Sequence, residues 1–170
     1  METLRSHTVQ RTLLIFIASL VFGLALFENS LTQQVVVKPL CIQLASGVRE
    51  GLGLLGIPVQ QFNEGLVKGT FGISIDPACS GLIAAVVFIA GVVAFPGRVS
   101  RKVWAILLGM LSLYLLNLLR LGTLLLIGAQ WPAGFDWAHV YIGRPLNVVV
   151  ICALWVALVD YFILQKEVVK

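Results

Sequence analysis

The sequence predicts an all-α membrane protein, with four transmembrane helices, an outer amphipathic helix and a small β-hairpin in a single domain over residues 1–170. Three observations carry that prediction. The chain is 59% hydrophobic and 12% charged with a mean hydropathy of +0.97, a composition suited to lipid rather than water. Its apolar residues fall in long runs separated by short polar breaks. Its basic residues stand at the ends of those runs, where membrane topology uses them. The net charge of +4 is therefore a topological signal, and no nucleic-acid partner is expected.

The first run, Leu13 to Phe27, carries no charge and follows Arg5 and Arg11, which predicts a helix over residues 12–28. A signal peptide is the alternative reading. The run is at the upper length limit for one, however, and Glu28-Asn29-Ser30 follows without a small-residue cleavage pattern. Residues 28–78 form the only long polar segment. Within it Pro39 opens a helical pattern with Leu40, Leu44, Val48, Leu52 and Leu55 on one face, an amphipathic helix for the interface or the bundle. Pro58 to Phe62, the Asn63-Glu64-Gly65 break and the alternation Phe71, Ile73, Ile75 read as an irregular β-hairpin leading to the membrane surface.

A second membrane helix over 79–95 is about 25 Å long, with Gly81, Ala84 and Ala85 allowing close helix approach. Pro96-Gly97 ends it, and Arg98, Arg101 and Lys102 form a basic loop. The third run, 103–127, is interrupted by Asn117 and Arg120. A short loop with Trp131, Pro132, Asp136, Trp137 and His139 leads to the fourth run, 146–164, closed by Lys166 and Lys170. Arg5, Arg11, Arg98, Arg101, Lys102, Lys166 and Lys170 then share one side. Lys38, Arg49, Lys68 and Arg144 share the other with Glu28, Glu50, Glu64, Asp76 and Asp136. The positive-inside rule puts both termini of this multi-pass membrane protein in the cytoplasm, with the polar segments outside.

The chemistry-bearing residues gather at the outer level. Asp76 suits an N-cap and Pro77 the first helical position, which sets Cys79 in the first turn of the second helix. Unpaired N–H groups there favour a thiolate, whereas a nearby Asp76 carboxylate opposes it. Arg120 lies about 25 Å along the third helix from Val103. Asn117, Arg120 and Thr123 recur every third residue and share a face. A buried arginine needs a partner or a cavity. His139 is in the last outer loop, with Arg144 close behind. Each residue also has a bland reading: Cys79 as a small apolar filler, Arg120 snorkelling to headgroups, His139 in an interfacial belt. Cys41, Cys79 and Cys152 form neither a zinc pattern nor a paired framework, and no metal or cofactor is expected. A Cys41–Cys79 bridge stays open and would remove the nucleophile.

Together these residues resemble a known family. Ala78-Cys79-Ser80-Gly81-Leu82 is similar to the A-C-S-G-[IL] motif of the exosortase/archaeosortase family, Asn117-Leu118-Leu119-Arg120 to its N-x-x-R motif, and His139 to its third position. The resemblance covers roughly Ile73 to Tyr161, in the family's order. It implies a membrane cysteine transpeptidase that cuts C-terminal sorting signals of the PEP-CTERM type (short motif, membrane helix, basic tail). Cys79, Arg120 and His139 would be catalytic, and Asn117, Ser80 and Arg144 would bind substrate. The cleaved protein would pass to an unknown acceptor, lipid or polysaccharide, through a Cys79 thioester. Family members are mostly longer, with more membrane helices. The alternative is a non-catalytic accessory subunit of an exopolysaccharide or protein export system, using the same pocket for lipid or partner helices. A small transporter has little support, since no inverted repeat is visible.

Overall fold

A 27-residue helix, α1 (Glu2–Glu28), begins the chain. The computed structural model describes residues 2–164, and the side chains of residues 2–6, 8, 144, 163 and 164 fall outside that description, as do Lys166 and Lys170 altogether. Asn29 turns the chain, its side chain accepting from the Leu31 N–H at 2.9 Å, and starts α2 (Ser30–Thr32). A π turn, Gln33–Val37, leads directly into α3 (Lys38–Leu54). Pro39 therefore lies inside a helical run rather than opening one. A proline ring collides with the carbonyl four residues back, and the widened turn stands where that carbonyl, of Val35, would be.

α3 buries Cys41, Leu44, Ala45, Val48 and Leu52, close to the face expected of the amphipathic helix. It ends in a Schellman motif: Gly56 at φ +73°, Ile57 N–H on the Leu52 carbonyl (3.0 Å) and Gly56 N–H on the Gly53 carbonyl (2.9 Å). The chain then forms a three-stranded antiparallel sheet, β1 (Gln60–Phe62), β2 (Gly65–Lys68) and β3 (Phe71–Ser74), in that order. The expected hairpin is thus a meander, because Gly69 (φ +63°) makes a second tight turn in what reads as one long strand. Leu66 of β2, fully buried, joins α3 in one core.

The membrane part is α4 (Leu82–Ala94), α5 (Val99–Gln130), α6 (Phe135–Trp137) and α7 (Arg144–Val159). Among the described residues, three helical runs are long and apolar enough to span, Val9–Glu28, Val99–Gln130 and Pro132–Phe162. The expected second span, 79–95, shrinks to the 13 residues of α4. That is about 20 Å against a hydrocarbon core of about 30 Å. Its start is lost to a separate turn at Cys79, its end to Phe95-Pro96. Lys102 reaches back to cap it, donating to the Val93 carbonyl at 2.8 Å.

α5 is the shared wall of two cores. Its C-terminal half (Leu121, Leu125) packs with α3, Leu66 and Ile75; its N-terminal half (Ala105, Leu113) packs with Phe88 of α4 and Val159 of α7. The Phe88 ring lies directly on Gly109, where a side chain would collide with it. Gly109→Leu is expected to lower stability by about 1–3 kcal/mol through overpacking, read as a drop in Tm in detergent; an unchanged Tm would contradict this α4–α5 contact.

Candidate active site

The residues before α4 make a knot of short-range bonds. Asp76 stands at the N-cap of a 3₁₀ turn, Pro77–Cys79, with Pro77 in its first positions, but its side chain makes no capping bond. The Cys79 N–H donates to the Asp76 carbonyl (2.8 Å) and the Ser80 N–H to that of Pro77 (3.2 Å). The Ser80 hydroxyl donates to the Pro77 carbonyl at 2.6 Å and accepts from the Leu82 N–H at 3.3 Å. Ser80 is buried, so its hydroxyl is occupied by the turn. Gly81 then takes φ +81°, a left-handed conformation that only glycine adopts without strain, and α4 begins one residue later. Cys79 therefore lies on a separate turn that ends before α4, where the sequence had suggested the first turn of the membrane helix itself.

Cys79 is unbridged and half-buried, as Cys41 is unbridged and buried. Burial pushes the Cys41 thiol above its ordinary range, and the nearby Glu64 and Asp76 carboxylates and Cys79 push it further. The segment before α4 thus sets a second cysteine, its thiol form favoured by burial, near the first. Glu64, on the turn between β1 and β2, has a buried carboxylate oxygen without a hydrogen-bond partner among the described residues. Its backbone carbonyl accepts from the Ile75 N–H at 3.1 Å.

α5 supplies the other anchor. Asn117 is 4% exposed, and its Nδ2 donates to the Cys79 carbonyl at 3.1 Å. The same amide lies against the Gly81 Cα, since a Cβ there would come within 3.4 Å of Nδ2. Its Oδ1 is buried with no partner among the described residues. Arg120, one turn on, is half-buried and faces elsewhere. It lines a cavity of about 270 Å³ between α5 and α7 with Thr123, Gly143 and Asn147, and its Nε has no hydrogen-bond partner among the described residues. Thr123 is exposed, with its hydroxyl donating to the Leu119 carbonyl (2.8 Å). Of the three residues expected on one face, Arg120 and Thr123 thus line this cavity together while Asn117 faces Cys79, because each step of three on a helix falls about 60° short of a full turn.

His139 was expected in a loop. It lies instead within the helical run Pro132–Phe162, on a π turn, Ala138–Gly143, that precedes Pro145 as the earlier one precedes Pro39. Its ring stacks on Phe135 (centroids 5.8 Å, 27°), which meets Phe71 of β3 edge-on at 5.0 Å. The Phe71 ring sits directly on Gly128 of α5. An aromatic chain thus joins His139 to the sheet and to α5. Gly143, at the end of the π turn, is the neighbour of Arg120: a Cβ there would be 3.9 Å from Nε. Arg144 opens α7, and its side chain lies outside the described residues.

Two pairs are therefore assembled on one helix, Cys79 with Asn117 and the His139 turn with Arg120. The family model for transmembrane exosortases (Exosortase_EpsH) matches residues 3–156. The chain belongs to that family. No curated protein and no solved structure matches it. In this exosortase Phe71, Phe135 and Glu64 were not singled out as site residues in the sequence, as aromatics and a turn carboxylate carry no motif. Removing the Asn117 donor tests the assembly. Asn117→Ala leaves a carbonyl without its partner and is expected to cost about 1–3 kcal/mol, with faster alkylation of Cys79 as its turn loosens. Unchanged stability and labelling would show that the bond does not hold the turn.

Proposed function

We propose that this exosortase is a cysteine transpeptidase acting at the outer face of the bacterial inner membrane, with both termini in the cytoplasm. The supporting observation is the Asn117–Cys79 hydrogen bond, which ties the A-C-S-G-L segment to the N-x-x-R segment. A half-exposed, unbridged thiol on a rigid turn suits a nucleophile. An accessory subunit would need no such thiol, so the catalytic reading is preferred.

The substrate is a protein whose C-terminal signal consists of a short motif, a membrane helix and a basic tail. The Cys79 sulfur attacks the carbonyl carbon of the scissile peptide, with the thiol proton passing to His139. The tetrahedral oxyanion forms, its C–N bond breaks, and the imidazolium protonates the departing amine. The product is a thioester on Cys79. An acceptor nucleophile, amine or hydroxyl, then attacks the thioester, gives its proton to His139 and releases the thiolate. Arg120, whose Nε has no partner among the described residues and whose surroundings are mostly apolar, stabilises the oxyanion or clamps the substrate backbone. Asn117 fixes the Cys79 carbonyl, and Ser80 acts by holding the turn. Arg144, just after the His139 turn, would contact substrate.

A charged thiol reagent distinguishes an activated thiol from an inert one. With Cys41 and Cys152 changed to Ser, Cys79 should label rapidly at neutral pH. His139→Ala should slow this roughly tenfold or more, with the rate recovering at alkaline pH. Slow labelling that ignores His139→Ala would overturn the proposed pair.

A further inference from the structure

β3 is an edge strand of the sheet, and it leads directly to Cys79. Its register with β2 decides which backbone groups lie on the free edge. Gly65, Leu66, Val67 and Lys68 face Ser74, Ile73, Gly72 and Phe71 in turn, and the Ile75 N–H continues that register to the Glu64 carbonyl at 3.1 Å. Hydrogen-bonded and non-hydrogen-bonded pairs alternate along an antiparallel ladder. Phe71, Ile73 and Ile75 therefore turn their N–H and C=O groups toward β2, and Gly72 and Ser74 turn theirs away. Among the described residues, no hydrogen bond from outside the sheet reaches the Gly72 or Ser74 backbone. Both residues are exposed, and at Gly72, which has no side chain, the exposed part is the main chain itself. Asp76 carries the extended backbone on (φ −71°, ψ 156°), and its carbonyl accepts from the Cys79 N–H at 2.8 Å.

The opposite edge is tied down. The Gln61 amide of β1 donates to the Ile42 carbonyl of α3 at 3.3 Å and its Oε1 accepts from the Ser46 hydroxyl at 3.2 Å. Edge strands are usually blunted by lysine, proline or a bulge, and Phe71-Gly72-Ile73-Ser74 carries neither a charge nor a proline. We propose that the segment of the signal before its membrane helix binds as a fourth strand of this sheet, on the free edge of β3. Main-chain bonds to Gly72 and Ser74 hold it, and only every second side chain is read. The direction follows from topology. β3 runs into the turn before α4 as the signal's motif runs into its own membrane helix, so the two strands are parallel. In a parallel pair Gly72 and Ser74 each bond the two residues flanking their partner. The peptide just beyond the last paired residue then arrives at the Cys79 turn. This inference rests on the signal-cleaving reading above and states how that substrate is held, as an extended strand rather than a helix.

Disulfide trapping reads the strand without the chemistry. Ser74→Cys is placed in protein with Cys41 and Cys152 changed to Ser and Cys79 to Ala. It is oxidised with copper phenanthroline beside a PEP-CTERM-type signal protein that bears a single cysteine at each successive position before its membrane helix. Cross-links should form at positions two apart, with those between them at least roughly fivefold weaker. Even cross-linking along the segment, a spacing of three to four, or none at all would overturn the proposal. So would Ser74→Cys joining only a second copy of this chain, because the edge would then be an interface between copies. With Cys79 present, Ser74→Pro removes an edge N–H and spares the bonds to β2. The signal concentration for half-maximal Cys79 acylation should rise roughly tenfold in Ser74→Pro and less than about twofold in Ser74→Ala, which keeps the N–H. Equal effects of the two would count against the strand. Periodic cross-links to a protein whose Cys79 is never acylated would uphold the strand and sink the nucleophile. Acylation without such cross-links would sink the strand alone.

Discussion

A carboxamide buried in an apolar helix must find a partner, and in this protein the partner is the backbone carbonyl of the cysteine. Asn117 lies where the two cores meet, with the α3–sheet unit on one side and the α4–α5–α7 packing on the other. Unpaired, its amide would carry the desolvation cost of a buried polar group. Bonded to Cys79, it fixes the position at which β3 hands the chain to α4. The neighbouring geometry depends on that one contact. Gly81 must be left-handed for the chain to turn into α4, and it must lack a side chain for the amide to lie against it. Ser80 closes the turn from within.

The second constraint is proline inside a helix. Both Pro39 and Pro145 come just after a π turn, which absorbs the missing N–H and the ring's clash with the preceding turn. A π turn also offsets the next stretch of helix face. The turn before Pro145 carries His139 against Phe135 and sets Gly143 beside Arg120. The wide turn required for backbone reasons is thus also the element that brings a histidine to α5, in keeping with the frequent occurrence of such turns at functional sites.

Much of this was legible in the sequence. The long apolar runs of α1 and α5, the amphipathic face of α3 and the strand leading to Cys79 come from periodicity and charge placement, which burial enforces. Asn117 and Arg120 lie on α5, within the third apolar run of the sequence. The failures are local and share causes. Pro39 read as a helix start, and the fourth run as beginning only at residue 146, because a π turn leaves no composition signal, so His139 appeared to lie in a loop. Cys79 read as helical because Asp76-Pro77 is a genuine turn opening, and only the left-handed Gly81 shows that the turn stops before α4. The meander was read as a hairpin because one glycine, Gly69, decides between them. That Asn117 faces Cys79 while Arg120 and Thr123 line another cavity depends on rotation about α5, which a spacing of three does not resolve.

The central claim is that Cys79 forms the covalent link to the substrate, and mass spectrometry tests it directly. The protein would be mixed, in lipid and without an acceptor, with a protein carrying a C-terminal motif, membrane helix and basic tail. The account predicts an acyl adduct on the Cys79 peptide that is released by hydroxylamine and absent in Cys79→Ala. Cleavage of the signal that continues unchanged in Cys79→Ala would contradict it.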